Sequence, residues 1–101
     1  MKYLYIYRRD VDGSAAYVGQ TNDINERHNQ HMVMDDWCNE NIFELFYSIV
    51  EDKYANDIER CLIHTENPTY NKIVYRDYAP THEINNAIKQ LKWIKYKFRQ
   101  I

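Results

Sequence analysis

Tyrosine at every second position (Tyr3, Tyr5 and Tyr7) commits the opening segment to a strand. Side chains alternate faces along an extended backbone, so the three phenols share one side of the run from Lys2 to Arg9. That run is rich in Tyr and Ile, which suit a half-covered pleated surface. Asp10-Val11-Asp12-Gly13 follows as a turn signal, and Ala15 to Gln20 reads as a second strand. The start of the chain therefore predicts a β-hairpin.

Thr21-Asn22-Asp23-Ile24 opens a helix, with Thr21 or Asn22 as its cap and Asp23 and Glu26 suiting its first turn, running to about Met34. Phe43 to Val50 is apolar on both faces and predicts a central strand. Asp52 to about Thr65 predicts a second helix, stopped near Asn67-Pro68. Asn71 to Tyr75 reads as a short extended piece. Pro80-Thr81 starts an amphipathic helix over 80–99, in which Ile84, Ala87, Ile88, Leu91, Ile94 and Phe98 keep helical spacing. The order ββαβα, connector, α predicts an α+β domain: a small three-stranded antiparallel sheet flanked by helices. At 101 residues, one domain is expected over 1–101.

A composition 45% apolar and 15% aromatic argues against disorder. No apolar run approaches the length of a membrane span, and the first ten residues lack a small-residue cleavage site, so a cytoplasmic protein is expected. Cys38 and Cys61 suit a reducing compartment, Cys61 as a small buried hydrophobe. Net charge is −2, but the segment from Asp35 to Glu66 carries −7 and that from Lys89 to Ile101 carries +5. That asymmetry suggests a face able to meet phosphates through Lys89, Lys92 and Lys95; a solvated helix end explains it equally.

Polar residues stand where a core pattern wants apolar ones. With Ile24 facing inward, Arg27, His28 and His31 share its helical face. Arginine is almost never buried without a partner, so this face meets solvent or an anionic site. On the second helix, Glu59 borders the apolar stripe of Ala55, Ile58 and Leu62. A carboxylate there must reach water, pair with a cation such as Arg27, or bind a metal. Mg²⁺ often takes only one or two protein carboxylates. His28-x-x-His31 and Cys61-x-x-His64 have zinc-like spacing, but both lie within helices.

These positions together resemble the GIY-YIG nuclease superfamily. Tyr17-Val18-Gly19, followed by Gln20-Thr21, is similar to its second signature triplet, and Tyr3-Leu4-Tyr5, twelve residues earlier by the tyrosines, to its first. Arg27 comes ten residues after Tyr17 and His31 four further on, where the superfamily has an arginine and then His or Tyr. Glu59 matches the metal-binding glutamate, and Asn71, twelve residues later in Asn67-Pro68-Thr69-Tyr70-Asn71, the closing asparagine. The resemblance covers Tyr3 to Asn71. Tyr3 and Leu4 depart from Gly and Ile, and Gln20 stands where some relatives have lysine.

The resemblance implies metal-dependent hydrolysis of DNA phosphodiesters, with RNA not excluded. Glu59 is the expected ligand of Mg²⁺ or Mn²⁺. Arg27 is expected on the phosphate oxygens, Tyr5 as general base, Tyr17 positioning water or phosphate, His31 as hydrogen-bond partner or proton relay, and Asn71 as an anchor. A phenol has a pKa near 10. Tyr5 is therefore expected to be lowered by Arg27 and metal, with activity rising towards pH 8–9. His28 has no role in the resemblance and reads as a surface histidine or a contact to the phosphate backbone. Two alternatives remain: a non-catalytic nucleic-acid-binding module on the same fold, and an interaction surface formed by Trp93, Tyr96 and Phe98. That tail can also pack on the sheet or support a homodimer, which would help a small nuclease cut both strands.

Overall fold

The computed structural model describes residues 1–73, 75 and 78–98. Its elements are β1 (Lys2–Arg9), β2 (Ala15–Thr21), α1 (Ile24–Met34), β3 (Phe43–Val50), α2 (Asp52–Glu66), α3 (His82–Lys89) and β4 (Ile94–Lys95). The expected α+β architecture is present, with four strands rather than three. The order is β2-β1-β3-β4, every pair antiparallel.

β1 is central, and its alternation divides the molecule. Leu4 and Ile6 face a core shared with Val18, Val50, Ala55, Ile58, Leu62 and Ile84, so α2 and α3 cover that side. Tyr5 and Tyr7 face the other side with Ile24, Phe43 and Leu45. There α1 supplies Ile24, His28 and His31 as its buried residues. Asp23, rather than Thr21 or Asn22, caps this helix, its side chain accepting from the Glu26 N–H.

The tail departs from expectation. The helix starts at the Thr81 cap but ends at Lys89, and the chain then adds β4 to the free edge of β3, pairing Lys95 with Phe46 and Ile94 with Tyr47. Ile94-Lys95-Tyr96-Lys97-Phe98 also alternates, so the segment satisfies the strand period as well as the helical one. Backbone groups along the edge of β3 decide between them: the Tyr96 N–H donates to the Leu45 carbonyl at 2.8 Å. Tyr96 and Phe98 then pack on the tyrosine side of the sheet. Arg99, in the basic tail, and Val74, in the expected extended piece, lie outside the described residues.

Candidate active site

Segment 69–71 runs beside β2, the opposite edge of the sheet. The Thr69 and Tyr70 N–H groups donate to the carbonyls of Ala15 and Ala16 at 3.3 and 2.8 Å. The Asn71 side chain continues the ladder: its Oδ1 accepts from the Val18 N–H and its Nδ2 donates to the Val18 carbonyl, both at 2.9 Å. One amide thereby satisfies the outward donor and acceptor of one strand residue.

Where β2, α1 and α2 meet this segment lies a cavity of about 440 Å³. Tyr17, Arg27, His31, Glu59 and Asn71 all line it. Residues far apart in sequence thus converge on one space. Asp35, Trp37, Tyr70 and Lys72 line it too, without a role that the sequence assigns them. Lys72 could have been suspected from its place beside Asn71; Asp35 and Trp37 follow α1 without a motif to mark them.

Tyr5 sits behind the lining, 1% exposed. Its hydroxyl accepts from Arg27 Nε at 3.1 Å and meets His31 Nε2 at 2.8 Å. The tight turn of the hydroxyl under α1 depends on Gly19, which pairs with Tyr5 across the sheet. A Cβ on Gly19 would lie 2.5 Å from Tyr5 Oη and 3.0 Å from a Tyr17 ring carbon. Tyr3, standing where the resemblance has glycine, stays in register opposite Thr21 and packs edge-on to Tyr47 at 5.7 Å, so that departure leaves the strand intact.

Burial raises the Tyr5 pKa, helped by the neighbouring Tyr17; the Arg27 guanidinium acts in the other direction and is outweighed. Arg27 thus lowers the phenol as expected, but in the metal-free chain its effect is smaller than that of burial. Burial is also the main reason the His31 pKa is lowered, against the opposing pull of Asp35. Glu59 is raised by burial, partly offset by the Gln20 amide.

Among the described residues neither Glu59 nor Arg27 makes an ion pair. No cluster of three or more His, Cys, Asp or Glu side chains forms there either. Glu59 nevertheless fits a hard divalent cation: burial works against its charged form, no ion pair among the described residues offsets that, and a cation would. The zinc-like pairs do not converge. His28 and His31 each spend both ring nitrogens on hydrogen bonds. The two cysteines are buried free thiols.

His28 is buried, at 4% exposure, and not a surface residue. Tyr7, two positions along the strand from Tyr5, needs a partner for its hydroxyl, and His28 Nδ1 provides it at 2.6 Å. Phe98 stacks over the imidazole at 4.9 Å. A contact between His28 and a phosphate backbone is therefore corrected. Lys89, Lys92 and Lys95 are exposed and none lines the cavity.

No helix among the described residues is long and apolar enough to cross a membrane. Comparison with curated proteins and with solved structures gives no match. A family model, that of the GIY-YIG catalytic domain, matches residues 1–71, ending on the asparagine that completes the β2 edge. That stretch is the larger part of the chain and includes every residue named above as converging on the cavity except Lys72. The chain belongs to the GIY-YIG family, a family of nucleases.

Proposed function

We propose that this chain is a divalent-metal-dependent endonuclease that hydrolyses DNA phosphodiesters at the cavity between β2, α1 and α2. The observation that carries the reading is the meeting of an unpaired Glu59 carboxylate and an unpaired Arg27 guanidinium on one cavity, backed by a Tyr5–His31 pair. Lewis-acid polarisation of the phosphate and neutralisation of the leaving oxygen are the chemistry that Mg²⁺ or Mn²⁺ supplies when bound at Glu59. Arg27 binds the non-bridging oxygens, for which its planar fork is suited. Without substrate its Nε donates to Tyr5 and its Nη1 to Gln30, both at 3.1 Å, contacts that are exchanged for the phosphate when the guanidinium turns to it.

Tyr5 is the general base. A raised pKa makes a free phenolate unavailable at neutral pH, so the proton must leave as another arrives. Tyr5 Oη takes the proton of the attacking water while its own passes to His31 Nε2, and His31 ends as imidazolium. Tyr5 is sealed beneath Arg27 and His31, so water reaches it as the guanidinium turns to the phosphate. Tyr17, on the cavity wall, positions the water. Asn71 keeps β2 and the wall in place. Lys89, Lys92 and Lys95 add a second contact to the nucleic acid, felt in affinity rather than rate. One cavity cuts one strand; a double-strand break takes a second copy or a second encounter.

Plasmid nicking with Mg²⁺ tests this. Wild type is expected to nick, and Glu59→Ala and Arg27→Ala, checked for native circular dichroism, to lose the activity. Tyr5→Phe is expected to lower kcat by about 10²–10⁴, more than Tyr17→Phe. A folded Glu59→Ala variant cutting at the wild-type rate rules out the metal assignment. The opposite order of the two tyrosine variants exchanges their roles. Duplex, branched and single-stranded DNA, with RNA beside them, separate the substrate classes; binding without cutting by wild type leaves a nucleic-acid-binding module.

A further inference from the structure

We propose that Asp35 is a positioning residue for the reaction, fixing the His31 proton on Nδ1 so that Nε2 is left free to accept from Tyr5. The inference rests on the nuclease reading for its kinetic consequence, but its structural part stands separately.

The direction of each hydrogen bond follows from its neighbours. Asp35 Oδ2 lies 2.6 Å from His31 Nδ1, four residues earlier. An ionised carboxylate can only accept, so Nδ1 carries the proton. His31 is 1% exposed, and burial disfavours its charged form. In the neutral ring, Nε2 is then an acceptor. Tyr5 Oη lies 2.8 Å from Nε2 and accepts from Arg27 Nε, which can only donate. Its own hydrogen therefore points to Nε2. The chain reads Arg27 to Tyr5 to His31 to Asp35, every donor aimed the same way. With the other tautomer, Nδ1 and the carboxylate would both be acceptors at 2.6 Å, and the Tyr5 hydrogen would lose Nε2 as its acceptor.

Proton transfer from Tyr5 converts the ring to imidazolium, whose Nδ1–H remains bonded to the Asp35 carboxylate. Asp35 keeps its negative charge throughout and stabilises the cation formed beside it.

The molecule contains its own control. Tyr7, His28 and Glu40 repeat the tyrosine–histidine–carboxylate order with the ring nitrogens exchanged, Tyr7 Oη lying 2.6 Å from His28 Nδ1 and His28 Nε2 2.9 Å from Glu40. Phe98 and Tyr96 cover that second array, and none of its members lines the cavity. Carboxylate loss there bears on folding, whereas loss at Asp35 bears on the reaction.

The test combines two readouts on Asp35→Ala, Asp35→Glu and Glu40→Ala. The ¹⁵N shifts of the His31 ring in metal-free protein are expected to show Nδ1 protonated in wild type and a mixture of tautomers in Asp35→Ala. In plasmid nicking, Asp35→Ala is expected to lower kcat about 10–100-fold, with KM within about twofold and an unchanged metal midpoint. Asp35→Glu restores part of the rate, and Glu40→Ala leaves kcat in place. The Asp35 backbone N–H that caps α1 survives every substitution. The proposal is overturned by an Nε2-protonated ring in wild type, by wild-type kcat in Asp35→Ala, by a shifted metal midpoint, or by an equal kcat loss in Glu40→Ala. A wild-type protein that cuts nothing refutes the nuclease reading, while the ring shifts still decide the tautomer.

Discussion

Gly19 lacks a side chain because Tyr5 occupies the place where one would be. Its backbone dihedral is ordinary, so the demand is for space rather than flexibility. Gly19→Ala is expected to push the phenol off His31 and Arg27, lowering stability by about 1–3 kcal/mol in urea melts and kcat by at least about tenfold; wild-type values for both would mean the ring has room to yield. His31 sets the pH dependence. Tyr5, Tyr7 and Tyr17 face it from the sheet, and Arg27, His28 and Asp35 from its own helix and cap. Its pKa in the folded chain lies below the ordinary value of about 6.5, so the unfolded chain binds more protons between the two values. Stability is therefore expected to fall as pH drops from about 6.5, and kcat only further down, where the folded ring itself takes up a proton. Tyr5 stays protonated through neutral pH, so the rate is expected to be flat from about pH 7 to 9. A tenfold climb over that interval would show the phenol titrating by itself, as the sequence alone suggested.

At the scale of elements, the site depends on how the free edge of β2 is finished. Asn71 replaces a neighbouring strand with two hydrogen bonds at Val18. Asn71→Ala is expected to cost roughly 2 kcal/mol, from two bonds of about 1 kcal/mol each, measured in urea; a loss below the error of the melt would mean water takes over both. Much of this arrangement was legible in sequence. Alternating tyrosines and the Asp12-Gly13 turn defined the hairpin, Arg27 and His31 stood out as polar residues on the face that Ile24 turns inward, and Glu59 for its place beside an apolar stripe. The tail was not legible, since Ile94 to Phe98 satisfies two periods and only the bare edge of β3 chooses between them. His28 escaped for a related reason: a histidine on a polar-looking helix face reads as solvated until Tyr7 is known to lie beneath it. Asp35 carries no pattern, because its part depends on the rotation of α1 over the sheet.

Across the whole molecule, the two sheet edges have different tasks. The β2 edge and segment 69–71 border the cavity, while β4, with Lys95, lies at the far edge. The acidic stretch from Asp35 to Glu66 includes Asp35 and Glu59, so its charge is partly spent inside the site, where a cation and an imidazole have use for it. A net charge of −2 is therefore compatible with a polyanionic substrate.

Aromatic rings also connect the buried phenol to the outside. Tyr5 stacks near Tyr17, Tyr17 on Trp37 at 5.4 Å, and Trp37 on Tyr70 at 5.2 Å. The chain has two tryptophans, and the other, Trp93, lies outside that ladder. Trp93→Phe leaves a single indole on the cavity wall, whose emission becomes an optical gauge of occupancy. Adding an oligonucleotide in EDTA is expected to change its intensity or colour before any bond is cut, so docking can be timed apart from scission in a stopped-flow fluorimeter. An unresponsive signal under saturating oligonucleotide would place the bound strand away from this wall.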